Sequence, residues 1–199
     1  MDTQDFLSLL NAEIRLGENY FVDSSQIQCG KSSKDRITLL NLSMTGIARV
    51  PITIKKLTEL HSLFLMNNRL TYIPETICDL SQLRYLNAFN NRIREMPENI
   101  GNLTKLIHLD LGCNNIHSLP QSMGNLINLQ RLNIENNSLK ELPRSFTNLS
   151  SLRVVYLYGN PINTMHTKTR EILDYMKYHY GTIFYIDKYM NAESIDCIY

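Results

Sequence analysis

Apolar residues recur along this chain at a constant spacing of 23 residues. In the copy from Leu83 to Lys105, numbered as positions 1 to 23, they occupy positions 1, 4, 6, 11, 14, 18 and 21, with asparagine at 9 and proline at 15. The copies start, without an insertion and with the last one partial, at Ile37, Leu60, Leu83, Leu106, Leu129 and Leu152. Such self-similarity is the signature of a repeat array.

The pattern inside each copy predicts a short strand, a bend and a helical turn. Positions 4 and 6 alternate with positions 3, 5 and 7, which is the two-residue period of a strand. The proline at position 15 indicates a helical turn with proline as its first residue. Glu75 and Glu98 lie in that first turn, where acidic side chains favour the helix dipole. One copy cannot bury its own leucines, so neighbouring copies must stack into a shared core beside a parallel sheet.

An asparagine column marks the point where the chain leaves each predicted strand. We expect these amides to bond backbone groups that the bend leaves unpaired, because an amide both donates and accepts. The first copy has Thr45 at this place, which predicts less regular geometry there. The column comprises Asn68, Asn91, Asn114, Asn137 and Asn160.

These residues resemble the leucine-rich repeat, LxxLxLxxNxLxxLPxxLxxL, and within it the 23-residue intracellular type of the Ras-suppressor, plant Ras-group-related and Scribble-like proteins. The resemblance covers residues 37 to about 164. It implies an α/β fold, a right-handed solenoid with a parallel sheet on its concave face, short helices on its convex face and helical caps. It says little about the partner, because one solenoid serves many unrelated functions.

The segment before the repeats is expected to cap the solenoid, whose end leucines need cover. Residues 2 to 16 predict an amphipathic helix, because Phe6, Leu9, Leu10 and Ile14 share a face at helical spacing. Residues 18 to 36 are polar with a loop signal at GKSSKD, and they predict no element. We therefore assign residues 1–36 to an N-terminal cap, with a partner-binding helix as the alternative.

The segment after the repeats predicts a second cap. A helix is expected from about Thr167 to His179, ended by Gly181. Its apolar side consists of Ile172, Leu173, Met176 and Tyr180. The apolar run at 183–186 is expected to pack beneath it. The resulting division is six repeats at 37–164 and a cap with tail at 165–199.

Composition narrows the classes of function. There are 20 basic and 19 acidic residues, a net charge of +1, so bulk charge does not predict nucleic acid binding. The four cysteines show no CxxC spacing, which indicates a reduced, cytoplasmic chain. The N-terminus lacks a signal peptide pattern, and no apolar run reaches membrane-spanning length. We expect a monomer.

Strand positions 3, 5, 7 and 8 face away from the core, so a binding site is expected among them. Phe64, Met66, Tyr85 and Phe89 form an apolar and aromatic patch, and Tyr156 with Tyr158 forms another. Exposed aromatic residues ringed by polar groups are typical of protein interfaces, although cross-strand stacking is an alternative explanation. The predicted partner-binding residues are Phe64, Met66, Tyr85, Asn87, Phe89, His108, Asp110, Arg131, Asn133, Glu135, Tyr156 and Tyr158.

Two other kinds of site are less well supported. His108, Asp110 and Cys113 combine a base, an acid and a nucleophile, but an open sheet offers no water-excluding pocket or oxyanion donors. The histidines are scattered, so neither a metal nor another cofactor is predicted. A ridge of Arg69, Arg92, Arg94 and Lys140 is expected to be a solvated edge rather than a site for an acidic partner.

The sequence therefore predicts a non-catalytic adaptor or regulator that binds a protein on the concave face. The resemblance makes small-GTPase pathways, phosphatase regulation and adhesion scaffolds plausible contexts. Two alternatives remain. One is a fragment of an effector whose enzyme activity lies elsewhere, although the residues after the array are too few for a ubiquitin ligase domain. The other is a pathogen or viral protein that mimics host scaffolds.

Overall fold

The computed structural model describes residues 6, 8–10, 27–32, 36–162 and 167–187, and within them one eight-stranded sheet follows chain order. β1 runs antiparallel to β2, whereas β2 to β8 are parallel. The strands are β1 (Gln28–Lys31), β2 (Ile37–Asn41), β3 (Ser62–Phe64), β4 (Tyr85–Asn87), β5 (His108–Asp110), β6 (Arg131–Asn133), β7 (Val154–Tyr156) and β8 (Ile183–Tyr185). The predicted α/β solenoid is confirmed.

Strand register follows the repeat. Leu63 pairs with Leu86, and Leu86 pairs with Leu109, so equal repeat positions stack on one another. The side chains at position 4 point into the core, where Leu63 and Leu132 are fully buried. A slip of one residue would place this leucine column in solvent, and this is why the pattern specifies register so strongly.

Each of the first five coils returns through a five-residue 3-10 helix. These helices span Ile52–Lys56, Glu75–Asp79, Glu98–Asn102, Gln121–Asn125 and Arg144–Asn148. The predicted first-turn positions of Glu75 and Glu98 are confirmed. The predicted place of proline is wrong by one residue. Pro97, for example, is the extended N-cap, with ψ of 141°, and its carbonyl accepts the Ile100 N–H at 3.1 Å.

Glycines permit close packing between two pairs of these helices. A Cβ on Gly101 would overlap the carbonyl oxygen of Ser122 in the next coil, and one on Gly124 would overlap the carbonyl oxygen and Cβ of Ser145. Neither glycine shows positive φ. Space, rather than backbone conformation, therefore dictates glycine at both positions.

The N-terminal end of the stack is covered by a hairpin and helical residues. β1 pairs with β2. β2 is the strand expected in the first repeat, whereas β1 was not predicted, and Gly30 and Lys31 of the GKSSKD loop signal lie in β1 rather than in a loop. Phe6 and Leu10 are fully buried in helical positions, whereas Leu9 is 42% exposed. The prediction that Leu9 shares their buried face is therefore wrong, and Ile14 lies outside the described residues.

The C-terminal end is covered by the helix Thr167–Tyr180. Ile172, Leu173 and Met176 are buried as predicted, and the half-buried Tyr180 donates its hydroxyl to the Thr147 carbonyl at 2.8 Å. Gly181 ends the helix at φ +64°, with its N–H on the Lys177 carbonyl at 3.1 Å, which is a left-handed cap.

The apolar run after this helix has a different place from the predicted one. Rather than only packing beneath the helix, Ile183–Tyr185 form β8 and extend the sheet beyond β7. Phe184 is buried where the repeats have leucine, and Tyr185 lies on the opposite face beside Tyr156. Among the described residues, no helix has both the length and the apolar character needed to cross a membrane.

Candidate functional site

The face of the sheet opposite the core is the candidate site, and we call it the sheet face. It carries the side chains at repeat positions 3, 5 and 7, which alternate with the buried leucines. All twelve of the predicted partner-binding residues lie on it, with Tyr85, His108 and Arg131 exposed and the other nine half-buried. These nine are Phe64, Met66, Asn87, Phe89, Asp110, Asn133, Glu135, Tyr156 and Tyr158.

An open depression of about 220 Å³ lies in the middle of the sheet face. Its side chains come from four consecutive strands, β3 to β6. They belong to Phe64, Tyr85, Asn87, His108, Asp110, Arg131 and Asn133, and Leu86 and Leu109 also contribute to the lining. The depression combines aromatic rings, amides and both signs of charge, which suits a protein side chain better than a purely apolar ligand.

The aromatic patch of Phe64, Met66, Tyr85 and Phe89 contributes Phe64 and Tyr85 to the lining of this depression. Phe89 lies over the next strand, since a Cβ on Gly112 would come within 2.9 Å of its ring carbon Cδ2. The Tyr85 ring meets the His108 ring edge-on at a centroid distance of 5.1 Å. Cross-strand packing therefore holds the patch in place, while Tyr85 keeps 38% of its surface exposed.

Polar side chains at position 5 have a structural role as well. The Asn87 side-chain oxygen accepts the Phe89 N–H at 3.0 Å, and Asp110 accepts the Gly112 N–H at 3.1 Å. Asn133 accepts the Glu135 N–H at 3.0 Å in the same way. An unpaired backbone N–H is costly, so backbone bonding restricts position 5 in these three coils, although the core does not.

The bend after each strand restricts position 8. Its residues adopt left-handed φ values between 50° and 71°, which asparagine and glycine tolerate better than other residues do. They are Met44, Asn67, Asn90, Cys113, Asn136 and Gly159. The prediction that this position is free for binding residues is therefore too broad.

The asparagine column joins each coil to its neighbours. The Asn114 side-chain oxygen accepts the Ile93 N–H at 2.9 Å, and its amide donates to the carbonyls of Ala88 at 3.0 Å and Leu111 at 3.0 Å. Asn68, Asn91, Asn137 and Asn160 repeat this arrangement. One amide therefore satisfies backbone groups of two consecutive coils.

Thr45 replaces asparagine in the first coil without disrupting it. Its hydroxyl donates to the Leu42 carbonyl at 2.7 Å, and the Met44 N–H still reaches the Met66 carbonyl at 2.9 Å. The expectation of less regular geometry is wrong here, because Asn68 donates to Leu42 as well, at 2.8 Å.

The second aromatic cluster is larger than the sequence predicted. Tyr156 stacks on Tyr185 of β8 at a centroid distance of 4.8 Å. Arg131 lies over the Tyr156 ring, 4.9 Å from its centroid, and donates to the Tyr156 hydroxyl at 3.1 Å. Burial, together with a hydrogen bond to Glu135, raises the pKa of Tyr158 to about 12. Tyr185 escaped prediction because it lies outside the 23-residue period.

Asp110 is a half-buried carboxyl on the sheet face. Burial raises the pKa of its carboxyl, as does Glu135, while the Gly112 N–H, Arg131 and Asn133 oppose the rise. Since the folded pKa lies above the unfolded one, stability is lost as the pH rises through the folded value.

Asp110→Asn is expected to raise the melting temperature at pH 7. Asparagine already occupies position 5 at Asn87 and Asn133 and accepts the same backbone bond. The gain should disappear at acidic pH, where Asp110 is protonated. Thermal melts between acidic pH and pH 7 test this prediction. Asn133→Asp is the reciprocal control and should lower the melting temperature at pH 7. A less stable Asp110→Asn at pH 7 would contradict it.

The catalytic alternative lacks a connected arrangement. His108 contacts Tyr85, Asp110 bonds Gly112, and the Cys113 sulfur lies 3.6 Å from the Asn136 amide nitrogen. Within the described residues, His108, Asp110 and Cys113 share no hydrogen bond, and no cluster of three or more His, Cys, Asp or Glu fits a metal. Burial raises the pKa of the Cys78 thiol to about 12, and this opposes thiolate chemistry there.

Comparisons with known proteins agree with this architecture. A family model described as a leucine-rich repeat region matches residues 36–113 and 75–174. The two matches together span more than half of the 199 residues. No curated protein matches the sequence significantly.

Two solved structures are similar to parts of the chain. A leucine-rich repeat protein of Leptospira interrogans is 28% identical with a TM-score of 0.53, over 68% of this chain and 41% of that one. The ectodomain of the plant membrane receptor kinase GASSHO1/SCHENGEN3 from Arabidopsis thaliana, in complex with Casparian strip integrity factor 2, is 33% identical. Its TM-score is 0.56, and the alignment covers 60% of this chain and 15% of the ectodomain. The chain thus matches less than half of either protein.

Proposed function

Since this chain belongs to the leucine-rich repeat proteins, we propose that it is a non-catalytic adaptor or regulator that binds a protein partner on the sheet face. The observation that carries the proposal is the aromatic patch beside the open depression. Aromatic side chains that are pre-positioned and partly exposed provide the anchors of protein interfaces. In a solenoid the sheet side chains are also the ones that the core leaves free to vary.

The geometry supports an anchored contact rather than a flat one. Tyr85 is 38% exposed and lines the depression together with the half-buried Phe64 and Asn87. A partner side chain that enters the depression displaces water from the rings of Phe64, Tyr85 and His108. It also meets the amides of Asn87 and Asn133, which define its orientation. Because neighbouring strands already hold these residues, little conformational entropy is lost on binding.

The comparisons support a binding role in general terms. The plant receptor ectodomain was solved in complex with Casparian strip integrity factor 2, so a leucine-rich repeat protein that is similar in part to this chain forms a complex. For this chain we propose the 23-residue intracellular type, a cytoplasmic location and a monomeric state. A small-GTPase pathway, a phosphatase or an adhesion scaffold is the proposed context.

An affinity pull-down with mass spectrometry identifies the partner. A stoichiometric protein that co-purifies with the wild-type chain is the expected result. Turnover of a substrate by the isolated chain, without any partner, would favour an enzyme instead.

Phe64→Ala combined with Phe89→Ala is expected to weaken partner binding by about 2 kcal/mol or more, the size of a hot-spot loss. Both side chains are on the face opposite the leucine core, so the melting temperature should fall only modestly. Calorimetry with the partner from the pull-down measures the loss. Tyr72→Ala is the matched control, because Tyr72 is 46% exposed and lies off the sheet face. If the double variant binds like the parent, the interface lies elsewhere.

A further inference from the structure

Three polar side chains form a column in the middle of the sheet face, and we call them the polar ladder. Asn87, Asp110 and Asn133 hold position 5 of strands β4, β5 and β6, and each is the register partner of the next. Parallel strands lie about 4.8 Å apart, so these side chains are direct neighbours. All three line the depression.

The backbone orients the polar ladder. Each of its side chains uses one oxygen to accept the N–H two residues further along the chain, at 3.0 to 3.1 Å. The three side chains are therefore held in the same way, and each has a second polar atom. Along the ladder these second atoms are an amide nitrogen, a carboxylate oxygen and an amide nitrogen, so they alternate as donor, acceptor and donor.

Pairing within the ladder leaves one donor unused. Asn133 hydrogen-bonds the Asp110 carboxylate, whereas the Asn87 amide nitrogen has no partner within the described part of the chain. A carboxylate accepts about four hydrogen bonds, so Asp110 has capacity beyond Asn133 and the Gly112 N–H. A group that enters the depression therefore meets a donor and an acceptor on adjacent strands.

The charges that line the depression oppose a charged occupant of either sign. Asp110 and Arg131 both belong to the lining and attract each other. An entering carboxylate would lie near Asp110, an entering ammonium would lie near Arg131, and either would lose water as it entered. Glu135 is outside the lining, and the Tyr158 hydroxyl hydrogen-bonds it. A neutral group avoids these costs.

A carboxamide is the neutral side-chain group that matches this arrangement. Its oxygen accepts and its nitrogen donates from one planar group, so it can bond Asn87 and Asp110 together. A single trans peptide group of an extended backbone cannot do so, because its N–H and C=O point to opposite sides. Glutamine also has two methylenes that can lie against Phe64 and Tyr85, whose rings line the same depression.

We infer that the depression binds the carboxamide of a glutamine side chain of the partner protein, with Asn87 as the hydrogen-bond donor and Asp110 as the acceptor. This inference rests on the proposed function and names the partner chemistry of the same site.

Solution NMR of the isotope-labelled chain at pH 7 tests the inference without knowledge of the partner. The probe is N-acetylglutamine methylamide, and saturable shifts of the Asn87 side-chain amide signals are expected. The matched probes are the corresponding derivatives of glutamate, lysine and methionine, which share its backbone but lack the carboxamide. Each should bind at least fivefold more weakly, roughly, because each loses one or both hydrogen bonds.

Two substitutions each reverse one position of the ladder. Asn87→Asp keeps an oxygen for the Phe89 N–H but removes the donor, and Asp110→Asn removes the acceptor, so each should weaken probe binding at least fivefold, roughly. The double variant exchanges donor and acceptor between the two strands at constant net charge. Because a carboxamide can turn over to match the exchanged pair, the double variant should restore binding. Backbone amide signals of the lining residues report binding in the variants.

Asn41→Asp is the matched control. Asn41 holds position 5 of β2 and accepts the Ser43 N–H at 3.0 Å, but it lies outside the depression. This variant should bind the probe like the parent. A well-dispersed spectrum confirms that each variant is folded.

Several results would overturn the inference. They are the absence of shifts up to the solubility limit of the probe, equal binding of a charged or apolar probe, and a folded double variant that does not regain binding. A threonine derivative that binds more tightly than the glutamine probe would indicate a site for a hydroxyl group instead.

Partner binding separates this inference from the proposed function. If Asn87→Asp leaves the affinity for the partner unchanged while Phe64→Ala with Phe89→Ala weakens it, the aromatic interface stands and the glutamine contact is wrong. If the probe binds as expected but no protein co-purifies with the chain, the depression recognises a carboxamide and the proposed function fails.

Discussion

Truncation after Gly159 is expected to abolish cooperative unfolding and to cause aggregation. It removes the helix Thr167–Tyr180 and β8, which cover the last coil. Leu152, Val155 and Leu157, now at most 1% exposed, would then meet solvent. The backbone would also lose partners, including the Tyr185 carbonyl, which accepts the Leu157 N–H at 2.8 Å. In a solenoid, stability is a sum over neighbouring units, so an uncovered end destabilises the coil before it in turn.

Chemical denaturation and size-exclusion chromatography measure this effect. A chain that ends after Asp187 is the control, since it keeps both covering elements, and it should unfold like the parent. A soluble Gly159 truncation with the parent's midpoint and slope would show that residues 160–199 are an appendage rather than a cap.

Asn114→Ala is expected to lower the free energy of unfolding by about 3 kcal/mol. The amide is only 8% exposed and serves four backbone groups at 2.9 to 3.2 Å, belonging to Ala88, Ile93, Leu111 and Gly112. Alanine leaves the buried Ile93 N–H without its acceptor, at a cost of about 1 to 3 kcal/mol. It also removes one of the two donors at each of the three carbonyls, which keep the Asn91 amide, the Asn137 amide and the Asn90 N–H. Because these hydrogen bonds join two coils, their loss should shift the midpoint of the whole cooperative unfolding transition.

Asn115→Ala is the matched control. Asn115 is exposed, and only its backbone N–H bonds the preceding coil, at 2.8 Å to the Ile93 carbonyl. Its variant should remain within about 0.5 kcal/mol of the parent. Asn114→Thr should fall between the two, because Thr45 shows that a hydroxyl replaces one of the bonds. Equal midpoint shifts for Asn114→Ala and Asn115→Ala would contradict this role of Asn114.

Most of the repeat architecture was predictable, because one physical requirement controls it. Leu86 and Leu109 must be buried, and the two-residue period then determines that Tyr85 and Asn87 face the other way. The 23-residue spacing aligns equal positions on adjacent strands, so Asn87 and Asp110 become neighbours. The helix Thr167–Tyr180 was predictable for a similar reason, since Ile172, Leu173 and Met176 follow its 3.6-residue period.

Other features were unpredictable because they depend on neighbours distant in the chain. β8 has no repeat spacing, and it forms a strand because β7 presents an open edge to Ile183–Tyr185. Phe89 and Gly112 share repeat position 7, yet only the folded chain shows that the Phe89 ring occupies the space that a side chain at Gly112 would need. The hydrogen bond that the Asp110 carboxylate accepts from the Gly112 N–H is local in the sequence. Only the geometry of the bend, however, shows that this N–H depends on a side-chain acceptor.

The amino-acid sequence alone determined the solenoid, its strand register and the residues that occupy the sheet face, because periodic burial of leucine permits one arrangement. The tertiary structure decided how those surface residues act together. It brought the side chains of Phe64, Tyr85 and His108 together around one depression, and it stacked Tyr185 on Tyr156, whose ring and hydroxyl Arg131 contacts. Repeat periodicity specifies which face a side chain is on, whereas charge pairing and ring stacking depend on distances that only the folded chain provides.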